Sequence, residues 1–124
     1  MPAHRRLSKL RLLAELRKLL ARPDTRVVER KLTICGRSTW TLTEPPSNIT
    51  IYLDPRRDGR VRLVIHELLH IHMQRVFAIG DRLNYELEEA AVLSWEKKLY
   101  DWLHDPKRAD ALESWSKAIS RKMK

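Results

Sequence analysis

The chain has 124 residues, 43% of them apolar, with 25 Lys or Arg against 16 Asp or Glu and a formal charge of +9; that fits one domain with one core. No apolar run reaches the roughly 20 residues that span a bilayer, and no apolar stretch followed by small residues reads as a secretory leader. A single cysteine, Cys35, excludes an internal disulfide framework and fits a reduced, cytoplasmic setting.

Residues 1–31 hold ten Lys or Arg and three acids, so +7 of the +9 lies there. Among these charges Leu7, Leu10, Leu13 or Leu16, Leu19 and Leu20 recur at helical spacing and predict a basic amphipathic helix over 4–21. Arg22-Pro23-Asp24 ends it, because the residue before a proline is pushed out of helical geometry. Such an arm can bind nucleic acid or another polyanion. The plainer reading is a solvated face on a helix packed against its own core.

Over residues 25–54 the apolar period becomes two. Val28, Leu32 and Ile34 fall on one face of a first strand, Cys35-Gly36-Arg37-Ser38 reads as a turn, and Trp40 and Leu42 alternate with threonines in a second strand. After the loop Pro45-Pro46-Ser47-Asn48, Ile49, Ile51 and Leu53 form the inner face of a third. Together these predict a small antiparallel or mixed sheet. Asp58 is the expected cap of a helix from about Arg60 to Val76. A loop at 78–81 leads to a second helix, capped by Asp81 or Asn84, with Glu86, Glu88 and Glu89 in its first turns, where carboxylates suit the helix dipole. It ends near Leu103, before His104-Asp105-Pro106, and a last helix follows over about 107–121. The expected class is α+β: a basic N-terminal helix (1–24), a small sheet (25–56) and a helical part (57–124).

The predicted helix from Arg60 carries His66-Glu67-Leu68-Leu69-His70, the pattern H-E-x-x-H. Residues four apart on a helix differ by about 40° in direction, so the two imidazoles project from one side. They can grip one zinc ion, while Glu67 reaches past the ligands as a general base toward the water on the metal. Leu63, Val64, Ile65, Leu68, Leu69, Ile71 and Met73 bury the other sides of the helix. The plainer alternative, two solvent-facing histidines and a surface ion pair at Glu67, sits poorly in so apolar a helix. His72 lies about 240° round from His66 and is read as core-edge or surface. A catalytic zinc takes a third protein ligand. Met73 and Val76 stand where the extended H-E-x-x-H-x-x-G-x-x-H pattern needs Gly and His, which leaves a carboxylate on the following helix: Glu86, Glu88 or Glu89.

A strand, an H-E-x-x-H helix, a short loop and a second helix with Glu before Ala resemble the gluzincin metallopeptidases. The likeness covers residues 49–103 and is greatest to the small forms, the minigluzincins and the ImmA/IrrE-type domains of phages and bacterial regulatory systems. The ligand Glu of such families often precedes a small residue, which implies Glu89, before Ala90, with Glu88 and then Glu86 behind it. Ala91 stands where the ImmA/IrrE type usually has Asn, a departure that favours the wider clan over that subfamily. The resemblance also implies that Ile49–Leu53 edges the cleft and pairs with a peptide by strand addition; the plainer role is an ordinary interior strand. Tyr85, Tyr100 and His104 are available as oxyanion donors.

Two functions are therefore expected in turn. The first is a zinc metallopeptidase acting on a peptide or protein substrate, with His66, His70 and Glu89 on Zn2+ and Glu67 as base. The second is a non-catalytic, zinc-containing regulatory or nucleic-acid-binding protein that works through the basic arm. Glu67 separates them, since a structural zinc has no use for a base beside its first ligand.

Overall fold

A computed structural model describes residues 9–32, 36–41, 46–56, 59–77 and 82–123, with side chains at all of these except 36, 74–77 and 82–87. Helix α1 spans Lys9–Ala21 and buries Leu12, Leu13, Leu16, Leu19 and Leu20. The expected stripe is displaced at one place: Leu10 is 64% exposed and Leu12 is buried in its stead. Leu7 lies outside the described residues. After α1 the chain is pinned at Thr25, whose hydroxyl donates to the Leu19 carbonyl at 2.7 Å, and at Arg22, whose carbonyl accepts from Lys122 Nζ at 2.8 Å.

Three strands follow: β1 (Arg26–Glu29), β2 (Gly36–Thr41) and β3 (Ser47–Leu53). They form a mixed sheet in the order β1-β3-β2. β1 runs parallel to β3 with Val27 opposite Ile51, and β2 runs antiparallel to it with Ser38 opposite Ile51. Three expectations are corrected. In β1 the buried residue is Val27, while Val28 and Leu32 are only half-buried; the strand ends at Glu29, and the phase of a period-two pattern flips with a one-residue shift. Ile34 and Cys35 lie outside the described residues. Gly36, Arg37 and Ser38 are not a turn but the first half of β2, paired with Leu53, Tyr52 and Ile51. And β3 is the interior strand, bonded on both sides, so it cannot edge a cleft; among the described residues β2 pairs on one side only.

Near its start β3 bulges. Thr39 pairs with Thr50 and Thr41 with Ser47, so Asn48 and Ile49 lie opposite Trp40 alone. Asn48 takes a positive φ of 52°, a region Asn tolerates better than most residues. Its backbone N–H donates to Asp24 Oδ2 at 3.0 Å and its side-chain amide to Thr41 Oγ1 at 3.3 Å. Beyond the other end of β3, Asp54 holds the β1–β2 connection: its carboxylate accepts from Leu32 N–H at 3.1 Å and from Arg56 N–H and Nε at 2.9 Å each. These contacts, the Arg56 side chain foremost, hold Asp54 well below the usual carboxylate range.

Gly59, at a φ of 77°, supplies the left-handed backbone that turns the chain into α2 (Arg60–Phe77). Asp58, the expected cap, is outside the described residues. Helix α3 covers Arg82–Leu103; Asp81 is undescribed and Asn84 lies inside the helix, so Asn84 is no cap. The first turn of α3 holds no acid, and Glu88 and Glu89 serve a purpose other than the helix dipole. A 3-10 turn at Pro106–Arg108, capped by Asp105, opens the last helix, α4 (Ala109–Lys122). Ile49, Ile51 and Leu53 of β3 share one core with Leu12 and Leu16 of α1, Val64, Leu68 and Ile71 of α2, Val92 and Leu99 of α3 and Trp115 and Ile119 of α4. The outer side of the sheet is covered at Tyr52 by the Arg30 guanidinium, 4.6 Å from the ring centre. None of the described helices is long and apolar enough to cross a membrane.

Candidate metal centre

Helix α2 is fixed on most sides by apolar packing: Val64, Ile65, Leu68, Leu69 and Ile71 are fully buried. The remaining side carries His66 and His70, whose ring centres are 4.9 Å apart, and faces α3. Residue numbers rise along α2 as they fall along α3: Arg62 meets Glu96 and His70 meets Glu88. The two helices are therefore antiparallel, and three carboxylates of α3 meet the two imidazoles.

Glu89 is the carboxylate both rings share. Its Oε2 lies 2.9 Å from His70 Nε2 and its Oε1 3.5 Å from His66 Nε2. One ligand atom from each of His66, His70 and Glu89 lies within 4.8 Å of the others. Bonds of about 2.0–2.1 Å to a four-coordinate ion separate its ligand atoms by roughly 3.4 Å, and the two measured distances bracket that value.

The other ring nitrogens are spoken for. His70 Nδ1–H donates to Glu88 Oε1 at 2.9 Å, and His66 Nδ1–H donates to Glu96 Oε1. A carboxylate only accepts, so these bonds fix the proton on Nδ1 of each ring. In the neutral rings the Nε2 lone pairs then face the oxygens of Glu89. Acceptor facing acceptor is repulsive unless a proton or a metal ion lies between. The donor set of two imidazole nitrogens and one carboxylate suits a divalent metal, so the three residues fit a metal ion on chemistry as well as on spacing. Carboxylates behind metal-bound histidines orient the rings and strengthen them as ligands.

Glu96 is itself held from behind. Arg62 Nε donates to Glu96 Oε2, the carboxylate keeps the guanidinium above its ordinary pKa, and Arg62 lies over the Tyr100 ring at 5.1 Å from its centre. Glu67, 8% exposed, stands outside the three-residue group. It faces the sheet, where Ser38 Oγ–H of β2 donates to its Oε1 at 2.8 Å.

Of the expected site residues, His66, His70 and Glu89 are brought together. Glu88 is not a member of that group and bonds instead to His70 Nδ1. Glu86 and Tyr85 lie among the undescribed side chains. Tyr100 is not at the group: it is 11 residues along α3 from Glu89, about 16 Å at the helical rise. It packs on His104 with ring centres 4.0 Å apart. His72 is half-buried, at the edge of the core as expected. Sequence reasoning missed Glu96, Arg62 and Ser38. Glu96 is seven residues from Glu89 and Arg62 four from His66, which puts each on the same face as its partner; only the assumption of a turn hid Ser38. Comparison with protein families, curated proteins and solved structures finds no match for this chain.

Proposed function

We propose that this chain is a zinc metallopeptidase of the small gluzincin type. The observation that carries the proposal is the convergence of His66, His70 and Glu89, with both Nδ1 atoms engaged by carboxylates and Glu67 next to His66 in the chain but outside the group. Zinc, when bound, supplies a Lewis acid for a peptide carbonyl and makes water acidic enough to lose a proton near neutral pH. His66, His70 and Glu89 would hold it. Glu88 and Glu96 keep the two rings turned with Nε2 toward the ion. Glu67 takes the proton of the attacking water on a carboxylate oxygen and passes it to the leaving amine. Ser38 limits the rotation of that carboxylate. An extended peptide would add to the side of β2 that is unpaired among the described residues, the strand that carries Ser38, in place of the interior β3.

Elemental analysis of protein purified without chelator tests the reading, with cleavage of a mixed peptide library measured alongside. About one zinc per chain is expected, lost in His66→Ala and His70→Ala. Zinc retained in His66→Ala, or zinc-loaded protein that cleaves no peptide, overturns it.

A second reading, binding of a polyanion, rests on the meeting of two basic helices. Arg17 of α1 donates to Ser114 Oγ of α4 at 3.2 Å, burial and then the charge of Arg121 pull the Arg17 guanidinium below its ordinary value, and a phosphate would relieve that repulsion. Retention on heparin that falls steeply with salt, and falls further in R17Q/R121Q, would support it; retention unchanged in the double variant would count against it.

A further inference from the structure

We infer that Arg62 is a positioning residue for the metal: by clamping Glu96 it fixes the His66 imidazole and so sets metal affinity from outside the ligand set. The inference rests on the metal reading above. Glu96 is almost buried, with 9% of its side chain exposed, whereas 46% of the Arg62 side chain is exposed. The two oxygens of the carboxylate are used in opposite directions, Oε1 by His66 Nδ1–H and Oε2 by Arg62 Nε–H. A carboxylate held at both oxygens keeps one rotamer. One held only by the imidazole leaves a desolvated oxygen without a donor, a costly arrangement in a buried site. It relieves this by turning toward water, which frees the ring of His66. Arg62 is in turn kept in place by the Tyr100 face, 5.1 Å from its guanidinium carbon. The chain of contacts runs Tyr100, Arg62, Glu96, His66, and its last member is a metal ligand.

Charge alone would act in the opposite sense. Removing a cation near the site would tighten binding of a divalent metal; loosening a ligand weakens it. The sign of the effect therefore distinguishes positioning from simple electrostatics.

The test is zinc affinity at neutral pH by competition with a chromophoric chelator, on the full chain, for wild type, R62M, R62K, E96Q and R62M/E96Q. R62M keeps the apolar stem and removes the donors. Affinity in R62M should fall by more than threefold and by no more than in E96Q, for which about 10- to 100-fold is the usual effect of losing a partner behind a ligand. R62K, which retains a donor, should recover part of it. In the E96Q background R62M should add little, because Arg62 acts through Glu96. The cobalt(II) absorption spectrum should change in R62M and return toward wild type in R62K. R62M within threefold of wild type, tighter binding in R62M, or losses that simply add in the double variant overturn the inference. Substitution at a half-exposed surface arginine leaves the fold in place; should R62M not fold, the same cycle is run with R62Q under the same criteria. Wild-type protein that takes up no zinc refutes the metal reading itself, an outcome distinct from a failure confined to Arg62.

Discussion

Replacing Glu67 by Gln separates its part in the chemistry from its part in the fold. Glu67 is buried, and among the described residues its carboxylate accepts one hydrogen bond, from Ser38 Oγ at 2.8 Å. Gln presents an oxygen at the same place, so the bond survives without its charge. Hydrogen bonds to a charged group contribute about 1.5–3 kcal/mol and neutral ones about 0.5–1.5, so the exchange costs about 1 kcal/mol, less whatever is regained by not burying a charge. Against a folding stability of roughly 5–15 kcal/mol the variant stays folded and melts at most a few degrees lower. The loss of general-base help is about 10²- to 10⁴-fold, or roughly 2.7–5.5 kcal/mol of activation free energy at about 1.36 kcal/mol per tenfold. The effect on rate thus exceeds the effect on stability severalfold. Wild type and E67Q should be compared for zinc content, thermal melting and initial rates on the peptides that wild type cleaves. Full zinc, a small melting shift and a rate at least a hundredfold lower are expected. A rate within tenfold of wild type would refute the role of Glu67 as base, and zinc loss as complete as in His66→Ala would place it among the ligands instead.

Glu89→Gln should weaken zinc binding more than Glu88→Gln, for which about 10- to 100-fold is expected of a residue behind a ligand; chelator competition decides, and the reverse order would move the third ligand to Glu88. Leu16 is fully buried where α1 meets the core, so Leu16→Ala should cost about 2–5 kcal/mol in urea unfolding, while Leu10→Ala, at an exposed position, should stay within about 0.5; similar losses at both would refute the packing of α1. Asp54 is held below its ordinary range by Arg56 and by the N–H groups of Arg56 and Leu32. Its folded-state pKa is lower than its unfolded one, so its contribution is present above about pH 4 and is lost as the pH falls from there toward the folded value. Urea midpoints of wild type should exceed those of Asp54→Asn near neutrality, and the gap should narrow steadily as the pH falls below about 4; a gap that does not narrow in acid would refute the pairing.

The order of elements, the H-E-x-x-H helix and, Leu10 apart, the leucine face of α1 over residues 13–20 were legible in the chain because they depend on neighbours within a turn or two. His66 and His70 are four apart on one helix, so their common side follows from helical geometry alone. The edges of the sheet were not legible. Whether Val27 or Val28 points inward, and whether β3 or β2 borders the site, depends on pairings between distant residues, and a one-residue change of phase inverts a strand. Composition at Cys35-Gly36-Arg37-Ser38 argued for a turn, and pairing with Leu53, Tyr52 and Ile51 overrode it at 36–38. The third carboxylate lies between these cases. The Glu-rich stretch of α3 was visible, but Glu88 and Glu89 are only about 100° apart on the helix. Which meets Nε2 of both rings and which meets Nδ1 of one depends on how α3 is rotated and slid against α2. The same docking brings Glu96 between His66 and Arg62. The two histidines, the neighbouring acid and the helices that carry them follow from local runs of the chain; which carboxylates meet them follows from the antiparallel packing of α2 on α3, because that register is the outcome of many side chains filling one core rather than of any local run.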